Sequence, residues 1–493
     1  MRNYIIGRLI RAIVSLFVVV SIAIIMVFML IPRDRAFSQD SAVSKLAGKP
    51  DELAIYKNNK LKELGYLDFK TQGDICLEKN GTSSCVLENS EEITKFVKEY
   101  EADGYITHRF KSGLIYVIKD YSPVELIMNF YSHLISFDTP NYVNDPMNKD
   151  LERGISLATD HNGIPAIKCS GCQNRYLLYF DGSFPFIHQN FIKINFGNSY
   201  PTFSGVNTFD VISSGQGELK KKSVTFEKGS TSMSALNLHK CKYKMTESLD
   251  RLDNLKFTSN YANCDSIRKD PSMISVSYFF GIVALILSYI LSIPAGIVMA
   301  RKKGDIQDKI GTIYINFMIA VPSLAFIYFF KSIGRGFGLP DKFPELGFGN
   351  PLSYVLPAII LALMSTSGLM IWVRRYMVDQ SSSDYVKFAK AKGLSEKEIF
   401  NRHILKNAII PLINGLPASI ILSISGAVIT ETVFAIPGMG KMLPDSIKAG
   451  NNSMIITLTF IFTALSVFSL VAGDVLMAIV DPRIKLSSKG GSR

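Results

Sequence analysis

The sequence predicts an α-helical integral membrane protein of six transmembrane helices, with a large mixed α/β extracellular domain between helices 1 and 2. Three observations lead there. Apolar residues make up 47% of the 493 and are gathered in uncharged runs long enough to cross a bilayer. The basic excess lies in short segments between those runs. All six cysteines fall in one long polar stretch.

Taken in order, the apolar runs cover roughly residues 12–31, 273–300, 312–330, 354–373, 408–429 and 454–480. The first follows Arg2, Arg8 and Arg11, as a secretory signal would. It ends in IPRDRAF without a small-residue cleavage pattern, so it reads as a retained span. The organisation is then a cytoplasmic N-terminus and first span (1–31), an extracellular domain (32–272) and a membrane core (273–493) carrying a cytoplasmic segment at 384–410.

Where the net charge of +12 lies decides its meaning. Residues 1–11 contribute +3, 301–309 contribute +2, 374–406 contribute +4, and the tail from Asp481 contributes +3. The stretch 32–272 holds thirty basic and thirty acidic residues and is neutral. Basic excess in short loops marks the cytoplasmic side. Both termini are therefore expected inside a cell membrane and 32–272 outside, and no separate basic patch supports a nucleic-acid role.

The 32–272 stretch is long enough to bury its own core. Leu126, Ile127, Phe130, Tyr131, Leu134 and Ile135 recur at helical spacing, while Tyr176–Phe180 and Lys222–Phe226 read as strands. Confinement of Cys76, Cys85, Cys169, Cys172, Cys241 and Cys264 to this stretch favours disulfides in an oxidising exterior. Six cysteines allow fifteen connectivities, and we take sequence neighbours as partners. Cys169-x-x-Cys172 is also open to a redox or half-zinc reading. No second pair of matching spacing accompanies it, and His161 and His188 are loosely placed, so neither a metal site nor a catalytic set is expected.

The spans as drawn hold no Asp, Glu, Lys, Arg or His except Asp474, expected to cap or pin the last helix near Arg483. Such a path suits a substrate of variable side chains and leaves the driving force to be supplied elsewhere. Pro294, Pro322 and Pro417 are expected to kink their spans. The chain has no G-x-x-x-x-G-K-[ST] phosphate loop, so an ATP site is not expected on this polypeptide.

The most specific segment is 384–411, DYVKFAKAKGLSEKEIFNRHILKNAIIP. Gly393 fits a left-handed helix end, and Ser395 with Glu398 forms a capping box that starts another helix. A helix, a turn and a helix on the membrane face make a docking knob, with the small Ala389 and Ala391 beside the turn and Pro411 where the chain returns to the bilayer. Tyr385, Ala389-x-Ala391-Lys392-Gly393-Leu394, His403-x-x-x-Asn407-Ala408 and Pro411 resemble the cytoplasmic coupling motif of ABC importer permeases, in its oligopeptide and dipeptide form. Lys387, His403 and Lys406 depart from the broader importer pattern, which has Glu, Ile and Pro there. The opening Tyr4, Ile5, Arg8, Leu9 and Arg11 agree with this branch. So do Tyr176–Phe180 with Phe191 and Phe196–Ser199, and Gly473-Asp474 with Asp481-Pro482-Arg483. The enlarged 32–272 stretch resembles the long permeases of Gram-positive peptide importers.

The resemblance implies a type I ABC importer permease fold and an oligopeptide cargo. It also implies a second homologous permease, two cytoplasmic ATPases carrying ATP and Mg, and a peptide-binding lipoprotein as partners. Tyr385, Ala389, Ala391, Gly393, Leu394, His403, Asn407 and Pro411 would couple to the ATPases. Glu431, Phe434, Pro437, Gly438 and Gly440 form a Gly-rich loop that reads as a plain turn or, by resemblance, as part of an external gate. Dipeptides, nickel chelates or other small solutes remain open as cargo. A membrane-anchored receptor or adhesion protein is the rival from another class, and a membrane thiol enzyme centred on Cys169-x-x-Cys172 a third. Six spans and a coupling motif are superfluous for the receptor, and the enzyme would need catalytic groups in the spans or a nucleophile with a base, which the sequence does not offer.

Overall fold

The structure, a computed structural model, describes residues 2–87, 91–182 and 186–480. These fall into two units. One gathers the described residues up to Gln39, Tyr200–Thr202 and the chain from Ser272 onward; the other comprises Asp40–Ser199 and Phe203–Pro271.

The first unit is helical. Among the described residues five helices are long and apolar enough to cross a membrane, namely Ile5–Leu30 (within Arg2–Leu30), Met273–Arg301, Leu352–Ser381, Ile410–Phe434 and Asn452–Met477. The run expected as one straight span at 312–330 is instead two helices, Ile306–Ala320 and Ser323–Gly336, bent by 109°. Pro322 sits at the break, and the residue before a proline is pushed out of the helical region; Val321 is extended, with ψ 126°. At a rise of about 1.5 Å per residue, each half reaches only about 20 Å, short of a bilayer's apolar core of about 30 Å. Only as one broken crossing does the pair bring the number to six. Pro294 lies within a continuous helix, as does Pro357, which sequence reading passed over.

The packing inside this unit is read from its small residues. Ala284, Ser288, Ser292 and Gly296 are buried at every fourth position of Met273–Arg301, whose seam faces Leu352–Ser381. Ser288 Oγ lies 3.0 Å from the Ala362 carbonyl and Ser292 Oγ donates to the Thr366 carbonyl at 3.3 Å. A Cβ on Gly296 would come within 2.7 Å of Val373 Cβ. Small residues let backbones approach where the hydrophobic effect gives no drive between helices. The first helix buries Val20, Ile24 and Val27 and packs on Asn452–Val480, while Ile10, Ile13, Val14 and Phe17 stay exposed. An apolar face of that extent on a helix is built for lipid or for another helix.

The second unit mixes helices and antiparallel strands. Leu67–Thr71, Ile115–Asp120 and Ile106–Arg109 form a sheet with Ile115–Asp120 in the middle, and Gln72–Glu78 and Glu91–Ala102 bury Ile75, Ile93 and Val97 around Val117. Gly154–Thr159, Pro165–Ser170, Tyr176–Phe180 and Ile187–Gln189 form a four-stranded meander. Pro123–Leu134 is a helix opened by a capping box between Ser122 and Glu125. Ile135, expected to continue it, begins the strand Ile135–Phe137, which pairs with Ile192–Ile194. Lys222–Thr225 pairs with Thr231–Ser234.

The cysteines join as sequence neighbours: Cys76 to Cys85, Cys169 to Cys172 and Cys241 to Cys264. Cys241 and Cys264 face each other across paired strands. Peptide mapping without reduction is expected to find these three pairs. Replacing Cys241 and Cys264 by serine, which opens a loop of 23 residues, should cost about 3 kcal/mol, read as a lower Tm. An alkylatable thiol among the six in the unreduced protein would contradict the pairing.

Candidate functional site

Two constructions in the helical unit carry the residues singled out by the sequence. The first is the turn after the helix Asp384–Ala391. Gly393 has φ +77°, its N–H donates to the Lys390 carbonyl at 2.9 Å, and the Leu394 N–H donates to the Ala389 carbonyl at 3.3 Å. Those two bonds make a Schellman end, which asks for glycine at the left-handed position. A Cβ there would meet nothing within 4 Å, so conformation and not crowding demands the glycine. Ser395 then opens the next helix with its capping box, exchanging bonds with Glu398. Those hydrogen bonds from Ser395 hold the Glu398 carboxyl below the usual carboxylate range.

The continuation Glu396–Glu398 loosens into a π-helical turn over Ile399–Ile404 before Leu405–Ala408 and Ile410–Leu422. Pro411 occupies the first turn of that last helix, where its missing N–H costs nothing. Ala389, 5% exposed, does not face outward. It packs with Val386, Ile399, Ile404 and Ala408 against Val373 and Met377 of Leu352–Ser381. Tyr385 lines the same cluster and donates to Gln380 Oε1 at 2.7 Å. His403 and Asn407 are half-buried on the second helix, while Ala391, Lys392 and Gly393 stand exposed at the tip. Phe388, not singled out by the sequence, is 70% exposed, and Leu394 is 37% exposed.

The second construction, expected as a Gly-rich loop, is instead a closed knot between two helices: Glu431 and Phe434 lie on Val428–Phe434, Gly440 lies in the first turn of Met439–Ala449, and Pro437 and Gly438 connect them. Glu431, 2% exposed, accepts from Ser277 Oγ at 2.8 Å, Ala427 N–H at 3.1 Å and Lys441 N–H at 2.9 Å. Ser277 Oγ in turn accepts from Met439 N–H at 2.8 Å. Gly438 and Gly440 wrap the carboxylate so closely that a Cβ would come within 2.5 and 2.9 Å of Oε2. A buried carboxylate is tolerable only with such donors around it. Phe434 is buried, its carbonyl accepting from Phe343 N–H at 2.8 Å, and Pro437 is half-buried.

Two ion pairs went unread in the sequence. Arg374 forks onto Asp308 at 2.6 and 2.8 Å, with Gly304 N–H on the same carboxylate. Asp474 pairs with Arg8 at 2.8 Å, tying the first helix to the last; Arg483, the expected neighbour, lies with Asp481 and Pro482 outside the described residues.

Residues 292–486, which include the Gly393 turn and the Glu431 knot apart from Ser277, match the family described as binding-protein-dependent transport system inner membrane component. The chain is 40% identical over 504 residues to the oligopeptide transport system permease protein AmiC of Streptococcus pneumoniae serotype 4, covering all of both chains. It is 34% identical over 226 residues to the dipeptide transport system permease protein DppB of Lactococcus lactis subsp. cremoris, covering 46% of this chain and 74% of that one. With the oligopeptide permease AppB of Bacillus subtilis the figures are 32% over 213 residues, 41% and 67%. An inward-facing structure of the MetNI methionine ABC transporter aligns at TM-score 0.35 and 14% identity over 42% of this chain and 94% of that one.

The fold class and motifs define a multi-pass membrane permease, a transport subunit and not an enzyme. The chain belongs to the oligopeptide and dipeptide permease family of binding-protein-dependent ABC importers.

Glu431→Ala would leave the Ser277, Ala427 and Lys441 donors without their acceptor. A loss of about 2–3 kcal/mol is expected, seen as a fall in Tm of the detergent-purified protein, with Gly438→Ala behaving alike. Melting unchanged in both variants would show that the knot is not structural.

Proposed function

We propose that the chain is one permease half of an ATP-driven importer of oligopeptides, joined to a homologous permease, two cytoplasmic ATPases and a peptide-binding lipoprotein. The observation that carries the reading is the exposed tip around Gly393, rigidly footed on the helix that lines the main seam. Full-length likeness to AmiC supports the cargo. The basic excess of the short loops supports cytoplasmic termini and an outward α/β unit, with the bent pair counted as the sixth crossing.

ATP and Mg bind on the ATPases, whose closure and opening move the tip. Phe388, Ala391, Gly393 and Leu394 offer the contact. Ala389, Ile399, Ile404 and Ala408 carry the displacement into Val373 and Met377, and so to the seam between Leu352–Ser381 and Met273–Arg301. The permease alternates between outward and inward access as a packed body, with Glu431 and its glycines holding the external side of the path. The α/β unit, with equal numbers of acidic and basic residues along 32–272, receives the peptide-binding lipoprotein through shape and local patches.

Phe388→Asp alters an exposed side chain and leaves the core beneath it alone. Peptide uptake is expected to fall at least tenfold while insertion and Tm stay at wild-type values. Gly393→Val, strained at positive φ by about 1–2 kcal/mol, should also lower uptake, with a small fall in Tm. A bulky residue at Ala389 should instead lower Tm. Unchanged uptake in a correctly inserted Phe388→Asp variant would remove the coupling role, and uptake of dipeptides or nickel chelates in place of oligopeptides would change the cargo.

A further inference from the structure

The α/β unit brings together three side chains that the transport reading does not use. Asp160 and His161 lie in the turn between the strands Gly154–Thr159 and Pro165–Ser170, and His239 lies on the strand Leu236–Lys242. One carboxylate oxygen and one nitrogen from each imidazole all fall within 4.8 Å of one another. Asp160 Oδ1 accepts from the Asn162 and Ile164 N–H groups, both at 2.8 Å, which turns Oδ2 toward His239 Nε2 at 2.6 Å. The His239 ring lies flat on Tyr179, 4.7 Å between centroids and 9° from parallel. Two of the three groups are thus buried and aimed by their surroundings, the role that outer-shell bonds play around metal ligands.

An Asp160–His239 hydrogen bond would account for those two residues alone. It does not account for His161, whose ring centroid is 4.2 Å from that of His239. His161 is the exposed member of the three, while Asp160 and His239 are buried. Lys222, Lys168 and Arg175 stand in the neighbourhood, and Arg175 is ion-paired with Glu227.

We propose that Asp160, His161 and His239 form a binding site for a divalent first-row transition metal, Zn2+ in particular, with a coordination position open to solvent on the His161 side. Two imidazoles and one carboxylate are a donor set that Zn2+ accepts at about 2.0–2.2 Å from each atom. The ion takes the place of the hydrogen between Asp160 and His239 and fastens the turn to a strand 79 residues away. The proposal does not rest on the transport reading.

The test uses the purified full transporter, stripped with EDTA and titrated with ZnCl2 alone. Wild type is compared with His161→Ala, an exposed substitution, and with His133→Ala, an exposed control on the helix Pro123–Leu134. Isothermal titration and elemental analysis are expected to find one more tightly bound Zn2+ in wild type and the His133 variant than in His161→Ala, with affinity at the site at least tenfold weaker in the latter. Co2+ in place of Zn2+ should give visible absorption bands that Asp160→Asn and His161→Ala both lose. Equal stoichiometry and affinity in wild type and His161→Ala overturn the proposal, as do Co2+ bands that survive both substitutions. If His161→Ala lowers the Tm of the metal-free protein, His161→Gln is read in the same way.

Discussion

The close approach of Met273–Arg301 to Leu352–Ser381 is the constraint from which the rest of the helical unit follows. In an apolar medium two helices gain little by excluding solvent, so contact area and hydrogen bonding must hold them. Ala284, Ser288, Ser292 and Gly296 bring the backbones near enough for two serine hydroxyls to reach carbonyls of the facing helix. A larger residue at Gly296 would collide with Val373, and Val373 also belongs to the cluster under Ala389. One side chain thus closes the seam on one face and supports the exposed turn on another.

That arrangement sets both constructions on one rod. Ser277 lies in the first turns of Met273–Arg301 and binds Glu431, whereas Gly296 lies near the other end and meets the helix that supports the Gly393 turn. At about 1.5 Å per residue the nineteen residues from Ser277 to Gly296 span about 28 Å, close to the apolar thickness of a bilayer. A movement of the turn need not be relayed through side chains one at a time. Because packed interiors shift between discrete arrangements and do not stretch continuously, the rod would carry such a movement as a body.

What the sequence displayed was local, and what it hid was distant. Gly393 and the Ser395–Glu398 box were legible because each is satisfied by residues within five positions. The helix Pro123–Leu134, opened by Ser122 and Glu125, was legible for the same reason, and the cysteine pairing was legible because each cysteine joins the next one in sequence. The inward orientation of Ala389 was not, since a short helix takes its buried face from whatever it lands on. Glu431 read as part of a loop because its hydroxyl donor is 154 residues away. Asp474 was assigned a neighbour near in sequence, yet it meets Arg8 from the other end of the chain. Pro322 announced a kink; the 109° bend that divides the span depends on where the two short helices find packing, which hydropathy does not encode.

The α/β unit solves a different problem, that of many small cores. Ile75, Ile93 and Val117 form one cluster, Val224, Phe226 and Phe257 another, and Leu177 sits in a third. None has the size at which apolar burial alone stabilises a fold comfortably. Each contains cystine sulfur: Cys76 and Cys85 lie in the first, Cys241 with Cys264 packed against it in the second, and Cys169 and Cys172 in the third. A covalent link that restricts the unfolded chain adds most where packing adds least. The small cluster of Ala166, Tyr176 and Tyr179 has no cysteine. It is the cluster on which His239 stacks and beside which Asp160 and His161 converge. A polar clasp there, whether by hydrogen bond or through a bound ion, does for that core what sulfur does for the other three.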